Sequence, residues 1–237
     1  MLLAECINTL SNVHPATDLH LDVLLTDDEY DSLKKLGSST NYPVGSILMG
    51  EGENTTFALL IQTGHVKIVS GPSRRILAIR GAGEFVGEMA AIRSKPRSAS
   101  VFALDDVQAL YLPGAQWLDF MINNPRVAMA LLRLTEERLA ETTKKTVESI
   151  LGTQQKLANA LLELELKGLG VTNQNGTLLR FSQADLANIA GISIDSAKQG
   201  IKVFKKKGLV QIGRQAITLK SLDQIETIAR GDPTVSR

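Results

Sequence analysis

The chain has 237 residues, a net charge of +1 and one cysteine, Cys6, with 43% hydrophobic and 22% charged residues. This composition is typical of a globular protein with one large domain or two ordinary ones, and it excludes a disulfide framework, a cysteine-rich zinc site and a four-cysteine iron–sulfur cluster. No apolar run approaches the ~18 residues of a membrane helix and the N-terminus has no signal-peptide pattern, so a soluble, cytoplasmic protein without a membrane partner is expected.

The charge is divided unevenly along the chain. Residues 1–152 hold 14 Lys and Arg against 18 Asp and Glu, a net charge of −4. Residues 153–237 hold 12 Lys and Arg against 7 Asp and Glu, a net charge of +5. An acidic first part and a basic second part indicate two domains with different partners, and nucleic acid is the expected partner of the second.

The first part begins with a predicted short helix and continues with predicted strands. Thr26 is a capping residue, and the acids at 27–29 suit the positive N-terminal end of a helix that stops near Gly37. From Tyr42 to about Leu112, short runs of β-forming residues alternate with glycines, which predicts a small antiparallel barrel or roll. The predicted strands are 47–49, 57–61, 66–69, 76–79, 100–103 and 107–111, with a hairpin tip at 70–73.

A long helix is predicted to follow the roll. Asn124 is a favourable capping residue and Pro125 a favourable first helical residue, and no helix breaker follows until Gly152. The helix would therefore have roughly 27 residues and a length of about 40 Å. A small core cannot bury such a helix, so we expect a spine that forms a dimer contact, with a helix lying on its own domain as the alternative. The expected domains are therefore the roll with its lead-in (1–122), the long helix (123–152) and the basic part (153–237). A hinge at Gly152-Thr153 separates the last two.

The basic part has the pattern of a winged helix-turn-helix. Helices are predicted at about 154–167, 183–190 and 194–207, with a loop or short strand at 168–181 and two wing strands at 210–212 and 216–219. Ser182 and Ser193 can cap the second and third helices, and Gly191 suits a left-handed turn between them. The third helix would then carry the residues that face a DNA groove.

Candidate DNA contacts follow from this placement. Gln199 can read adenine, Asp195 can accept a hydrogen bond from cytosine, and Ile194 can contact a thymine methyl. Five lysines between 198 and 207, and Arg214 at the wing tip, can neutralise phosphates. The candidate DNA-binding residues are Ser193, Ile194, Asp195, Ser196, Lys198, Gln199, Lys202 and Arg214.

Two residues of this helix have alternative interpretations. Asp195 lies in the first turn, where an acid also stabilises the helix dipole, and the two roles are weighed equally. Gly200 lies in the middle of the helix, where it costs ~1 kcal/mol relative to Ala. It either permits close approach of another backbone or makes the helix soft.

The segment from Gly83 to Ala99 contains the candidate ligand chemistry. A glycine-led turn into a short helix presents backbone N–H groups that suit a phosphate, and Arg97 can hold a phosphate with its forked guanidinium. Glu88 can accept a hydrogen bond from a ribose hydroxyl. The alternative is an internal Glu88–Arg97 ion pair, which the two residues taken alone favour.

This segment resembles the phosphate-binding cassette of cyclic-nucleotide-binding domains. Gly-Glu-Phe-Val at 83–86 precedes Gly-Glu-Met-Ala at 87–90, and Arg-Ser-Ala follows at 97–99. Gly45-x-Ile47, Glu51-Gly52-Glu53 and Gly64-x-Val66 match the strand-and-turn pattern of that domain. With the long helix and the winged helix-turn-helix, residues 30–220 resemble the CRP/FNR superfamily of bacterial transcription regulators.

The resemblance implies an α+β protein with a jelly-roll-like, cyclic-nucleotide-binding β-roll, a dimerisation helix and a winged helix-turn-helix. It implies a homodimer that binds double-stranded DNA and contacts RNA polymerase, with cyclic AMP as the ligand, cyclic GMP as the alternative and no metal. In the family, paired hydroxyls on the long helix reach the purine, one from each subunit. The implied ligand-binding residues are Gly87, Glu88, Met89, Ala90, Arg97, Ser98, Thr142 and Thr143.

Several departures and alternatives remain open at this point. A family pattern has arginine, glutamate and arginine where this chain has Ile194, Asp195 and Gln199, so the operator is not implied. A constitutive DNA binder, or a nucleotide-binding partner of another protein with weak DNA binding, would share the same domain order. A haem sensor is disfavoured, although a His or Cys near the N-terminus could serve one. An enzyme ranks last, because the sequence has no nucleophile–base constellation, metal cluster or P-loop.

Overall fold

The computed structural model describes residues 24–71, 75–147 and 151–231. In the first part, the strands are β1 (Ser38–Tyr42), β2 (Ile47–Met49), β3 (Ala58–Thr63), β4 (Val66–Ser70), β5 (Arg75–Arg80), β6 (Phe85–Val86), β7 (Ser100–Ala103) and β8 (Val107–Leu112). They form two antiparallel four-stranded sheets, in the orders β1-β8-β3-β6 and β2-β7-β4-β5. A buried apolar cluster from both sheets, including Leu59, Val66 and Val101, lies between them. The predicted β-roll is confirmed.

In the described residues of the first part, four helices accompany the roll: α1 (Asp27–Leu36), α2 (Glu88–Arg93), α3 (Gly114–Asn123) and α4 (Pro125–Val147). Trp117 of α3 is fully buried against Phe85 of the roll, with ring centroids 4.6 Å apart. Val127 and Leu131, from the first turns of α4, belong to the same buried cluster. The start of the long helix is thus anchored by apolar burial, the main favourable contribution to folding.

The predicted ends of α1 and the predicted start of α4 agree with the structure. Thr26 and Glu29 form a reciprocal capping box at the start of α1. The Asn124 carbonyl accepts a hydrogen bond from Val127 N in the first turn of α4. Its side-chain amide donates to Phe120 O and so closes α3, a role that the sequence did not predict.

The second part contains α5 (Thr153–Leu166), β9 (Gly170–Asn173), β10 (Gly176–Leu179), α6 (Gln183–Ala190), α7 (Ile194–Lys206), β11 (Val210–Gly213), β12 (Ala216–Leu219) and α8 (Leu222–Ala229). The strands form an antiparallel sheet in the order β11-β12-β10-β9. Helices α5, α6, α7 and α8 all contribute to one buried apolar cluster. This architecture confirms the predicted winged helix-turn-helix.

The two parts of the chain contact each other. Val69, Ile76 and Ile79 of the β4–β5 hairpin are buried in the same apolar cluster as the core of the second part. Beside this contact, Lys67 Nζ lies 3.7 Å from Asp185 Oδ1 of α6. The helix-turn-helix therefore packs on the hairpin of its own roll as well as being joined to it through the chain.

Some predicted features differ from the structure or lie outside it. Strand β1 was not predicted because its sequence, Ser-Ser-Thr-Asn-Tyr, lacks an apolar run, and α3 and α8 were also missed. Part of the hairpin tip at 70–73, the last residues expected in the long helix and the N-terminal Cys6 and His14 lie outside the described residues. Across the three described ranges, we find no helix with the length and apolar character needed to cross a lipid bilayer.

Candidate functional sites

The ligand cassette contains a glycine, Gly87, that no other residue can replace without strain. Gly87 caps α2 with φ of 76°, a left-handed conformation that favours glycine. A Cβ atom at this position would lie 2.5 Å from Arg97 Nη1 and 2.7 Å from Met49 Sδ. The turn is therefore tight because the side chain of Arg97 folds back over it.

Arg97 is the buried cation of the cassette. Its residue surface is only 4% exposed, and its guanidinium lies 4.5 Å from the centre of the Phe57 ring. Its Nε donates to Thr55 Oγ1 (2.9 Å), while Nη1 donates to Gly87 O and Nη2 to Phe57 O (both 2.6 Å). These contacts use three of the five N–H donors of a guanidinium, so two are left for a ligand.

The electrostatics of Arg97 favour an anion nearby. Burial lowers the pKa of the Arg97 guanidinium, and the charges of Glu53 and Glu88 act in the opposite direction. The three hydrogen-bond acceptors of Arg97 are neutral, and a buried cation without an ionised partner is costly. A phosphate in the adjoining cavity would supply the missing negative charge.

Glu88 is paired with the long helix and not with Arg97. This carboxylate is 4% exposed, and its Oε1 accepts a hydrogen bond from Arg138 Nη1 at 2.8 Å. Arg138 Nη2 also donates to Phe85 O at 3.0 Å. In the described parts of the chain, Glu88 and Arg97 form no ion pair, so the pairing that the two residues alone favoured is wrong. The contact of Arg138 with the cassette was not predicted from the sequence.

A cavity of about 160 Å³ lies between the cassette and α4. Arg138 lines it from the long helix, together with all six cassette residues that the resemblance implied. These six residues are Gly87, Glu88, Met89, Ala90, Arg97 and Ser98. The cavity therefore has a cation, a carboxylate and a glycine-led turn on its walls, which are groups that suit a phosphate and a sugar hydroxyl.

The threonine pair does not line this cavity. Thr142 and Thr143 are exposed on α4, and their hydroxyls donate to Arg138 O (3.0 Å) and Leu139 O (2.9 Å) of the preceding turn. Their implied role involves a hydroxyl from each of two subunits, whereas the structure contains one chain. A ligand contact by these threonines remains a prediction.

The helix-turn-helix has the caps and the turn that the sequence predicted. Ser182 Oγ accepts from Asp185 N at the start of α6, and Ser193 Oγ accepts from Ser196 N at the start of α7. Gly191 ends α6 with φ of 62°, in the left-handed region. These local contacts hold α7 at a defined angle to α6.

The candidate DNA-binding residues differ in how freely they face solvent. Ile194, Asp195, Lys198, Gln199, Lys202 and Arg214 are all exposed. Asp195 Oδ1 lies 3.7 Å from Lys198 Nζ, one turn along α7, which supports its helix-stabilising role. Ser196 is half-buried, and its hydroxyl lies 2.8 Å from that of Ser193, so both serines serve the cap. Exposure of the other side chains leaves them accessible to a nucleic acid.

Gly200 faces the protein interior. It is buried in α7, and a Cβ atom there would lie 3.0 Å from Leu157 Cδ2 of α5. The close neighbour is a side chain of α5 and not the backbone that was proposed from the sequence, and a soft helix remains the untested alternative. Gly200 does not lie on the exposed side of α7. It therefore gives no reason to expect that this side has lost the ability to bind DNA.

The described residues contain no group of three or more His, Cys, Asp or Glu side chains arranged to hold a metal ion.

Comparison with known proteins gives two family matches. Residues 39–124 match the cyclic nucleotide-binding domain, and residues 155–228 match the Crp-like helix-turn-helix domain. The first match contains the whole cassette, and the second contains α6, α7 and the wing. Together they cover the two units that the geometry distinguishes.

Individual relatives match over nearly their whole length. The chain is 28% identical to the cyclic AMP receptor protein of Thermus thermophilus over 211 residues, or 87% of this chain and 95% of that one. It is 23% identical to a CRP-like cAMP-activated global transcriptional regulator of Mycobacterium tuberculosis over 84% of this chain and 91% of that one. The solved structure of the c-di-GMP responsive regulator CLP of Xanthomonas campestris has a TM-score of 0.74 at 21% identity, covering 83% of this chain and 100% of that one. This structural likeness shows a shared fold.

Proposed function

The chain belongs to the CRP/FNR family of ligand-responsive transcription regulators, and we propose that it is a homodimer whose DNA binding is gated by cyclic AMP. One observation carries the ligand half of the proposal. Arg97 is a buried cation with neutral hydrogen-bond partners on the wall of a cavity that opens beside a glycine-led turn. Such a site gains most from a bound anion, because the anion removes the cost of the unpaired charge.

The proposed binding mode assigns one chemical group of the ligand to each wall. The cyclic phosphate contacts Arg97, the hydroxyl of Ser98 and the backbone around Gly87, Met89 and Ala90. The ribose hydroxyl donates to the Glu88 carboxylate, which Arg138 keeps oriented through Oε1. A carboxylate has room for several donors, so Arg138 and the ribose can share it. The purine would lie towards Thr142 and Thr143, with one hydroxyl contributed by each subunit.

An exposed apolar surface supports the homodimer. Leu132 and Leu139 on α4 are 62% and 67% exposed, and Met129 is 48% exposed. Leu132 also lines a groove of about 430 Å³ together with Met89 and Ile92 of the cassette helix α2. Large exposed apolar patches of this kind mark interaction surfaces. A second α4 packed here would contact the cassette helix directly, which would let the ligand influence how the subunits pair.

The DNA half of the proposal rests on the exposed side chains of α7 and the wing. Lys198 and Lys202 and the wing residue Arg214 would contact phosphates, while Ile194, Asp195 and Gln199 would face base edges. Segments 1–122, 123–152 and 153–237 would then be the ligand, dimerisation and DNA units. Family membership supports the further proposal of a cytoplasmic protein that meets RNA polymerase at promoters.

Isothermal titration of the purified chain with cyclic AMP, cyclic GMP, cyclic di-GMP and AMP tests the ligand. We expect cyclic AMP to bind most tightly and AMP, which lacks the cyclic phosphate, to bind much more weakly. Cyclic GMP is the nearest competitor, and the c-di-GMP responsive relative from Xanthomonas campestris makes cyclic di-GMP a necessary comparison. If another cyclic nucleotide binds more tightly, that nucleotide and not cyclic AMP is the ligand. If none of the cyclic nucleotides binds at millimolar concentration, the proposal of a cyclic-nucleotide ligand is overturned.

A further inference from the structure

A second arginine of the roll, Arg80, is buried and does not line the ligand cavity. It ends strand β5, is 5% exposed, and donates from Nη1 to Ile79 O at 3.3 Å. Two carboxylates approach it: Glu84 Oε1 lies 3.3 Å from Nε, and Glu141 Oε2 lies 3.5 Å from Nη2. Its Nε is buried without a hydrogen-bond partner of good geometry. None of the proposed ligand contacts involves this arginine.

Glu141 brings the long helix to Arg80. Its side chain is 56% exposed and lies one turn after Arg138 and immediately before Thr142. Residues three apart lie on the same side of a helix, so Arg138 and Glu141 face the roll together. The helix therefore presents a cation to Glu88 and an anion to Arg80.

These two ion pairs have opposite polarity, which makes them sensitive to the position of the helix. Residues 138 and 141 are about 4.5 Å apart along the helix axis at ~1.5 Å per residue. If α4 slid along its axis by that distance, either Arg138 would approach Arg80 or Glu141 would approach Glu88. Both approaches bring like charges together, and like charges repel. One pair alone would tolerate more rotation and sliding of α4 than the two pairs together.

We infer that Arg80 and Glu141 form a positioning pair for the ligand site: they hold α4 at the height and rotation at which Arg138 reaches Glu88. This inference rests on the proposed function and adds two residues to it. A ligand in the cavity does not compete for Arg80, because Arg80 is absent from the cavity wall. The pair therefore remains formed while the ligand binds.

A double-mutant cycle on nucleotide affinity tests the inference. The variants are Arg80→Met, Glu141→Gln and their combination, each titrated with cyclic AMP in the full chain. Because the pair is only partly shielded from solvent, we expect each single change to weaken binding about 3- to 10-fold. The double variant should bind cyclic AMP no more weakly than the single variant with the lower affinity, because each change removes the same Arg80–Glu141 ion pair. Additive losses would show that the two residues act independently and would overturn the inference.

Glu137→Gln is the matched control. Glu137 lies on the same helix with a similarly exposed side chain, but its Oε1 accepts from Arg133 of the same helix and not from the roll. Glu137→Gln should leave cyclic AMP affinity unchanged, and Arg80→Lys should recover part of the affinity lost in Arg80→Met. Should Arg80→Met fail to fold, Glu141→Gln alone decides, because its side chain is largely in solvent. Wild-type affinity in Glu141→Gln would overturn the inference.

Hydrogen exchange of the ligand-free chain separates this inference from the proposed function. If α4 is held by the pair, amides near residues 138–143 should exchange faster in Glu141→Gln and Arg80→Met than in Glu137→Gln. Absence of nucleotide binding by the wild-type chain would overturn the proposed function, and with it the ligand role of the pair. Unchanged exchange in both variants would overturn the positioning of the helix even if the nucleotide binds.

Discussion

The roll and the helix-turn-helix keep their candidate binding cations in opposite environments. Arg97 in the roll is 4% exposed, whereas the side chain of Lys198 in the second part is 58% exposed. A buried cation is costly unless a charge is brought to it, so it suits a small anion that enters a cavity. Exposed lysines lose little hydration until they meet a polyanion, where counterion release favours binding. Under the proposed function, the same charged chemistry would serve a small anionic ligand in one part and DNA in the other.

Of the changes considered, Arg97→Ala should have the largest effect, because it removes the buried cation of the roll. Removal of the buried cation deletes charge-assisted hydrogen bonds to the phosphate, so we expect cyclic AMP affinity to fall about 100-fold in a calorimetric titration. Arg230→Ala is the control, because Arg230 is an exposed arginine that follows the last residue of α8 and pairs with Glu226, outside the ligand cavity. Equal affinity of Arg97→Ala and the wild type would show that the buried cation does not hold the ligand.

The Gly200→Val variant tests the interior of the DNA unit and not its surface. The new side chain would overlap Leu157 of α5, and overpacking of this kind costs about 1–3 kcal/mol of unfolding free energy. Thermal denaturation should therefore show a lower midpoint for Gly200→Val than for Gln199→Val. The second variant places the same β-branched residue at the exposed neighbouring position. Similar midpoints for both would contradict the packing role of Gly200.

Lys198→Ala and Lys202→Ala test the exposed cations. Loss of one phosphate contact should weaken DNA binding a few-fold and to a similar extent for different sequences. The slope of log affinity against log salt should fall by about 0.9 for each lysine that contacts B-DNA. Lys35→Ala, which changes an exposed lysine of α1, should leave the slope unchanged. A wild-type slope in both α7 variants would remove these lysines from the interface.

The smallest expected effect concerns the ion pair between Glu29 and Arg126 at the base of the long helix. The hydrogen bond from Arg126 lowers the pKa of Glu29 below its usual value of 4.5, more than burial raises it. A depressed folded-state pKa contributes stability above the unfolded pKa, and this stability is lost as the pH falls through the folded pKa. Glu29→Gln should therefore unfold more easily than the wild type at pH 7, by less than about 1 kcal/mol, with the difference shrinking below pH 4.5. A difference that grows in acid would contradict this assignment.

Local patterns in the sequence predicted much of the fold. The start of α1 at Thr26 and the two helices of the helix-turn-helix were predictable because caps and turns depend on neighbouring residues. Strand β1 was not, because polar residues form a strand there only through pairing with β8, which lies far along the chain. Residue pattern alone does not contain that contact.

The candidate site shows the same division. Gly87 and Arg97 belong to a short motif, so their proximity could be expected from the sequence. Glu88 was expected to accept a ribose hydroxyl, with a pair to Arg97 as the alternative, but its partner in the structure, Arg138, is 50 residues away on α4. Arg80 and Glu141 are 61 positions apart and carry no motif. Contacts between the roll and the long helix depend on tertiary packing, and therefore only the structure could show them.

The most direct test of the central claim is DNA affinity with and without cyclic AMP. A fragment would be selected from a genomic DNA library with the wild-type chain, labelled, and titrated by fluorescence anisotropy at one fixed salt concentration. We predict that cyclic AMP strengthens binding of the wild type and has no effect on Arg97→Ala, whose DNA-facing lysines are intact. Equal affinity of the wild type with and without cyclic AMP would contradict the claim that a ligand in the roll controls the DNA unit.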